Sequence, residues 1–157
     1  MIPLPPQKEE KKLITFEENN EIFKATLSTY NAWTEMKKDS KKVGIELILV
    51  SAFRSIKRQE ELINDKRKKG IPDKEIFKVL APAGHSEHHT GCALDLHTPN
   101  SAILKEDFEK TLAFAWLNKN AGLYGFELSY PRNNPYGVVY EPWHWCFRDR
   151  SNLVVKN

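Results

Sequence analysis

Ten residues, "VVYEPWHWCF" (Val138–Phe147), hold a glutamate, a histidine, a cysteine and two tryptophans beside a pair of valines. An apolar strand seldom carries Glu and His, because burying either without a partner costs several kcal/mol. Glu141 and His144 therefore need something to act on. Of the other histidines, His85, His88, His89 and His97 stand within thirteen positions, with Asp95 among them. Two imidazoles and a carboxylate make a three-ligand set that a catalytic zinc ion takes, with a position left open for water. Hydrolysis also needs a carboxylate that is not a ligand, close enough to accept a proton from that water. His88, Asp95 and His144 can supply the ligands and Glu141 the base. A His and a Glu joined in a purely structural pair would satisfy the same spacing.

The spacing in "EPWH" is not that of the helical zinc motif, which puts two His one turn apart on one face. Pro142 is hostile to a helix interior and to a central strand. In a regular strand, residues 141 and 144 would face opposite ways. A bend at Pro142 would let both side chains turn toward one metal. The remaining candidates have plainer roles. His89 points away from the ligands, His85 lies at the rim, and His97 shares a strand face with Asp95. Cys92 and Cys146 read as small buried hydrophobes that are not bridged. Cys146 as a fourth ligand would close the site and make the metal structural.

These residues need elements to hold them. Thr15 and Glu18 have capping-box spacing, and Phe23, Leu27, Tyr30, Trp33 and Met36 recur at helical intervals, which predicts one long helix over Phe16–Lys41. "IELILV" reads as a buried strand that delivers Ser51 and Arg54 to its end. Ser55 caps a helix running to Gly70, and Asp73 caps a short one. The second half of "HSEHHTGCALDLHT" is a strand. Phe108, Leu112, Ala115 and Trp116 mark a helix ended by Gly122. "GFELSY" and the opening decapeptide are the last strands. Strands clustered late in the order point to an α+β fold rather than a parallel βαβ array.

A length of 157 residues fits one domain with a core, expected over 15–157 behind a Pro-rich tail at 1–14. A composition that is 40% hydrophobic and 29% charged is that of a globular chain, not a disordered one. The net charge is only +3, and "KRKKG" reads as the solvated end of a helix, so no nucleic-acid partner is expected. Two cysteines make no disulfide framework. No apolar run approaches the ~18 residues of a membrane span, and "MIPLPPQKEEKK" lacks the apolar region of a signal peptide. Both a cytoplasmic protein and a mature cell-envelope segment behind a start Met fit that beginning.

"SEHHTGCALDL" matches the S-x-H-x-x-G-x-A-x-D pattern of VanY-type D-alanyl-D-alanine carboxypeptidases and related LAS-type zinc peptidases, through Ser86, His88, Gly91, Ala93 and Asp95. "EPWHW" resembles their E-x-W-H, and "SAFRSIKRQ" their S-x-x-R-S-x-x-x-Q, through Ser51, Arg54, Ser55 and Gln59. "GFELSYP" is similar to the segment before their last strand. The resemblance spans roughly Ile45 to Phe147. It implies a small mixed or antiparallel sheet wrapped by helices, with a Zn²⁺ site in a cleft on the sheet. His88, Asp95 and His144 would hold the zinc, and Glu141 would activate its water. Arg54, Gln59 and Ser86 would bind the peptide near its terminal carboxylate, and Trp143 would shape the pocket wall. The departures are Cys92, where an aliphatic residue is usual, and Cys146 near the metal strand.

The implied activity is removal of a C-terminal D-alanine from peptidoglycan stem peptides or their precursors, by a monomer. A D-Ala-D-Ala dipeptidase, an L,D-carboxypeptidase and an endolysin-type peptidase are rivals on the same scaffold. Outside that class stand a zinc-stabilised binding module and a Cys-His thiol hydrolase.

Overall fold

Thr15 and Glu18, spaced as a capping pair, lie instead in a strand. The computed structural model describes residues 1–149, so the end of the expected domain, 150–157, lies outside the described residues. β1 (Ile14–Glu18) and β2 (Glu21–Ala25) form an antiparallel hairpin with Phe16 opposite Phe23. Asn19 and Asn20 turn the chain with φ of 51° and 66°. This is the left-handed pair that a two-residue hairpin requires and that Asn tolerates. The Glu18 carboxylate accepts from the Trp33 indole at 2.7 Å rather than from a helix terminus. The helix therefore starts eleven residues later than the periodicity suggested, as α1 (Leu27–Lys42), with Thr26 as its cap. Trp33 and Met36 are fully buried, whereas Leu27 is exposed.

The other elements follow their local signals more closely. β3 is Ile48–Ser51. α2 (Ile56–Lys68) is capped by the Ser55 hydroxyl, as the sequence indicated. α3 (Asp73–Val79) starts after Pro72 with no side-chain cap, so Asp73 sits in its first turn instead. β4 is Ala93–His97 and α4 is Leu112–Asn120. Phe108 is buried from a separate 3-10 turn before α4, and the break at Thr111 shifts the apolar phase. Ala113 and Leu117 face the core while Leu112 is exposed. β5 is Phe126–Leu128, and β6 covers only His144–Phe147. Upstream, Glu141 N–H donates to Tyr130 O and His144 N–H to Glu141 O, so the chain turns at Pro142 before the strand begins.

The sheet order is β3-β4-β6-β5, every pair antiparallel, which is the small antiparallel sheet of an α+β fold. Trp33, Met36, Leu94, Leu96, Leu117, Phe126 and Trp145 fill the core between sheet and helices. Among the described residues no helix is long and apolar enough to cross a membrane. Residues 1–13 have no regular structure but lie along the domain as a strap. Gln7 N–H donates to Gly84 O and Glu10 N–H to His89 O, and the Glu9 carboxylate accepts from Ile56 N–H at the start of α2.

Gly91 sits where the strap, the hairpin and the start of β4 meet. Its φ is +73°, and a Cβ there would lie 2.6 Å from Leu13 Cδ2 and 3.3 Å from the Thr26 nitrogen. Gly91→Ala is therefore expected to cost about 1–3 kcal/mol, from left-handed strain plus the clash. Thermal melting checks this, and an unchanged Tm would show that the turn tolerates a side chain.

Candidate metal centre and cleft

Asp95 is placed by the middle of the sheet. It pairs with Ser51 on β3 and with His144 on β6, so neighbours approach it from both sides. His88 arrives from the 3-10 turn Glu87–Thr90, which Ser86 opens by accepting from His88 N–H at 3.2 Å. His88 Nε2 stands 3.2 Å from Asp95 Oδ2, and His144 Nδ1 stands 3.0 Å from Asp95 Oδ1. One donor atom from each of the three side chains lies within 4.8 Å of the others, and all three residues are buried. The two imidazoles meet edge to face, 5.0 Å between centres.

Ring orientation follows from what each second nitrogen meets. His88 Nδ1 lies 2.7 Å from Ala52 O. A carbonyl only accepts, so this nitrogen carries a proton, and Nε2 is the nitrogen that faces inward, where it could ligate a metal. His144 Nε2 lies 2.9 Å from Glu87 Oε1, which leaves Nδ1 facing Asp95. Burial pushes the Asp95 carboxyl up, but the flanking His88 and His144 outweigh it and hold it well below the usual carboxylate range. Burial opposes charge on His144 too, yet Asp95 and Glu87 raise it to about 10. Three converging N and O donors fit a single divalent ion that prefers imidazole and carboxylate, as zinc does.

Glu141 enters the same cleft from the turn before β6, and Arg54, Gln59, Ser86 and Trp143 line it too. Burial raises the Glu141 carboxyl to about 7; His144 and Arg54 oppose the rise, while Asp95 and Glu87 add to it. A carboxyl poised near neutrality can both take and return a proton. Arg54 donates through Nη1 to Gln59 Oε1 at 3.0 Å and through Nη2 to Ser51 Oγ at 3.3 Å. Gln59 is buried, and its amide nitrogen donates to Ala81 O. Its side-chain oxygen also helps to aim the guanidinium.

The other three histidines lie outside the cluster. Both nitrogens of His89 are taken by backbone groups, Arg54 O and Gly84 N–H, so it braces the chain behind Arg54. His85 Nδ1 bonds Leu4 O of the strap, and Leu4 itself lines the cleft. His97 stands one pair beyond Leu96 on β4, with its Nδ1 buried and without a partner among the described residues. Cys92 and Cys146 are both free thiols, and burial raises the Cys146 thiol well above its usual range.

Sequence reasoning missed Glu87, Tyr130 and Arg148. The Glu87 carboxylate is buried against His144 and pairs with Arg148 Nη2 at 2.9 Å. The Tyr130 ring lies 5.0 Å from the His144 ring. Arg148 was legible in principle, since period two puts residues 144, 146 and 148 on one strand face. Glu87 carried a weaker signal, as the acid immediately before a candidate ligand.

A family model described as VanY, D-alanyl-D-alanine carboxypeptidase, matches residues 23–150, most of the chain. The chain belongs to the VanY family. This VanY-family chain is 38% identical over 109 residues to YodJ of Bacillus subtilis (strain 168), named as a carboxypeptidase. The match takes in 67% of the chain but only 39% of YodJ, so the chain spans about two fifths of that relative's length. Among solved structures, the LdcB LD-carboxypeptidase, described for its peptidoglycan recognition, superposes with a TM-score of 0.80 at 29% identity, covering 96% of this chain and 74% of that one. A VanY D,D-pentapeptidase E175A mutant solved with Zn(II) gives 0.71 at 21% identity, covering 90% and 82%; at that identity the likeness is one of fold.

Proposed function

We propose that this VanY-family chain is a zinc-dependent carboxypeptidase that removes a C-terminal D-alanine from peptidoglycan stem peptides or their precursors. One observation carries the reading. A buried His88–Asp95–His144 cluster shares a cleft with an acid raised to neutrality, Glu141, and with a guanidinium, Arg54. A non-catalytic zinc module has no use for Glu141, whose burial costs stability. Cys146, buried and high in pKa, suits neither a nucleophile nor a fourth ligand.

Zinc held by His88, Asp95 and His144 would lower the pKa of water toward ~7 and polarise the scissile carbonyl. Glu141 accepts the proton released as water attacks, then returns it to the leaving amine. Arg54, aimed by Gln59 and Ser51, grips the terminal carboxylate with charge-assisted hydrogen bonds. Burial lowers the pKa of Arg54, and the nearby Asp95 and Glu141 counter that, so the guanidinium stays charged where water is scarce. Trp143 and Tyr130 wall the same space.

Arg54→Ala is expected to lower kcat/KM on free-acid peptides by about 2–4 kcal/mol, the scale of a lost charged hydrogen bond. Amidating the substrate's C-terminus should cost the wild type a similar amount and cost the variant little more. Additive losses, or a wild type indifferent to amidation, would replace the carboxypeptidase with an endopeptidase. The LdcB likeness gives an L,D-carboxypeptidase a specific claim. Mass spectrometry of products from synthetic tri-, tetra- and pentapeptide stems separates the two: a pentapeptide trimmed to tetrapeptide supports D,D-cleavage, and a tetrapeptide trimmed to tripeptide supports L,D-cleavage.

A further inference from the structure

His144 is the one cluster residue squeezed between two carboxylates. Asp95 Oδ1 stands 3.0 Å from Nδ1 and Glu87 Oε1 stands 2.9 Å from Nε2. Once the ring gives one nitrogen to a metal it keeps a single proton, so only one of these acids can then receive it. If the proton sits on Nδ1, the ring has no lone pair on the side of Asp95 and His88. If it sits on Nε2, the ring is a ligand. For His88 a backbone carbonyl settles the same choice, through Ala52 O. For His144 the choice falls to a side chain.

We propose that Glu87, anchored by Arg148, is the positioning residue that fixes the His144 proton on Nε2 and turns Nδ1 toward the metal. Glu87 is well placed for this. It is buried, and it precedes His88 in the same 3-10 turn, so the ligand and the orienting acid are set by one piece of backbone. Its other oxygen accepts from Arg148 Nη2 at 2.9 Å. Arg148 also reaches Ser129 Oγ and Glu127 Oε2, each at 3.3 Å, so the guanidinium is tethered to the β5 side of the sheet. Four residues past His144, it lies on the same strand face and closes a chain from Arg148 through Glu87 to His144 and Asp95. A carboxylate behind a metal-bound histidine raises the ring's basicity, and losing such a partner typically costs 10–100-fold in metal affinity. Gln is the revealing replacement. It keeps the shape, but it can present an N–H₂ to Nε2 and so favour the wrong tautomer.

The inference rests on the zinc reading above, and two measurements keep them apart. The first is Zn²⁺ affinity by chelator competition on the full chain, for wild type, Glu87→Gln and Arg148→Gln. Glu87→Gln is expected to bind zinc about 10–100-fold more weakly, and Arg148→Gln to weaken it less. The second needs no substitution: long-range ¹⁵N–¹H correlation spectra of the zinc-loaded wild type, which are expected to place the His144 proton on Nε2. A proton on Nδ1, or Glu87→Gln affinity within about threefold of a zinc-binding wild type, overturns the role of Glu87 alone. A wild type that binds no zinc overturns both readings.

Discussion

Glu141→Gln is expected to keep the fold and the metal and to lose about 10²–10⁴-fold in kcat, the usual contribution of a positioned base. Glutamine occupies the same volume, so neighbouring packing is spared. The expected effect on stability has the opposite sign. Burial raises the Glu141 carboxyl from 4.5 to about 7, so its ionised form is penalised in the folded protein. That penalty is absent below the unfolded value, grows as pH rises toward 7 and is complete above it. In chelator-treated protein, the Gln variant should therefore be more stable than wild type at pH 8, with the gap closing toward pH 4. Melting curves across that range, with stem-peptide hydrolysis alongside, make the check. A variant that turns over stem peptides near the wild-type rate would show that another group moves the proton.

His144→Ala is expected to abolish tight zinc binding. It would remove one of the three proposed ligands outright, so the loss should exceed the 10–100-fold of a lost outer partner. It also leaves Asp95 and Glu87 buried without their shared imidazole. Breaking such a buried pair costs about 3–5 kcal/mol. The pH window follows from the shifts. Glu87 falls from 4.5 to about 2 and Asp95 falls below 3.8, so their stabilisation is present above those unfolded values and lost on acidification. His144 rises from 6.5 to about 10, so its share is complete below 6.5 and lost as pH climbs through 10. The metal-free stability gap between wild type and variant should be widest at about pH 4.5–6.5. Chelator competition and denaturant melts test the two halves separately. Zinc retained at wild-type affinity would remove His144 from the ligand set.

The site was more legible than the N-terminal fold, for identifiable reasons. His88, Asp95, His144 and Glu141 are types that an apolar setting does not tolerate idle, so composition alone drew the eye to them. The E-x-W-H and S-x-H stretches then tied them to one family. The hairpin was hidden because Phe23, Tyr30, Trp33 and Met36 keep helical intervals across a real boundary at Thr26. The Asn19–Asn20 pair was the only local sign of a turn, and it lacked the glycine that usually announces one. Glu87 and Arg148 carried only weak local signals, because their importance lies in whom they touch, 57 and 61 residues away respectively.

The position of β6 in the sheet bears on how the molecule comes into being. β6 follows the other strands in the described chain, yet it lies between β4 and β5. During synthesis, β4 and β5 would leave the ribosome with the gap between them open, each exposing backbone groups that β6 later satisfies. His144 and Trp145 enter with that strand, so the centre closes only when nearly all the described chain is available. A nascent chain arrested before residue 144 would hold Asp95 with one imidazole and two raw sheet edges, a species prone to pairing with its neighbours. Among the described strands, the last to be made is the keystone of both the sheet and the His88–Asp95–His144 cluster.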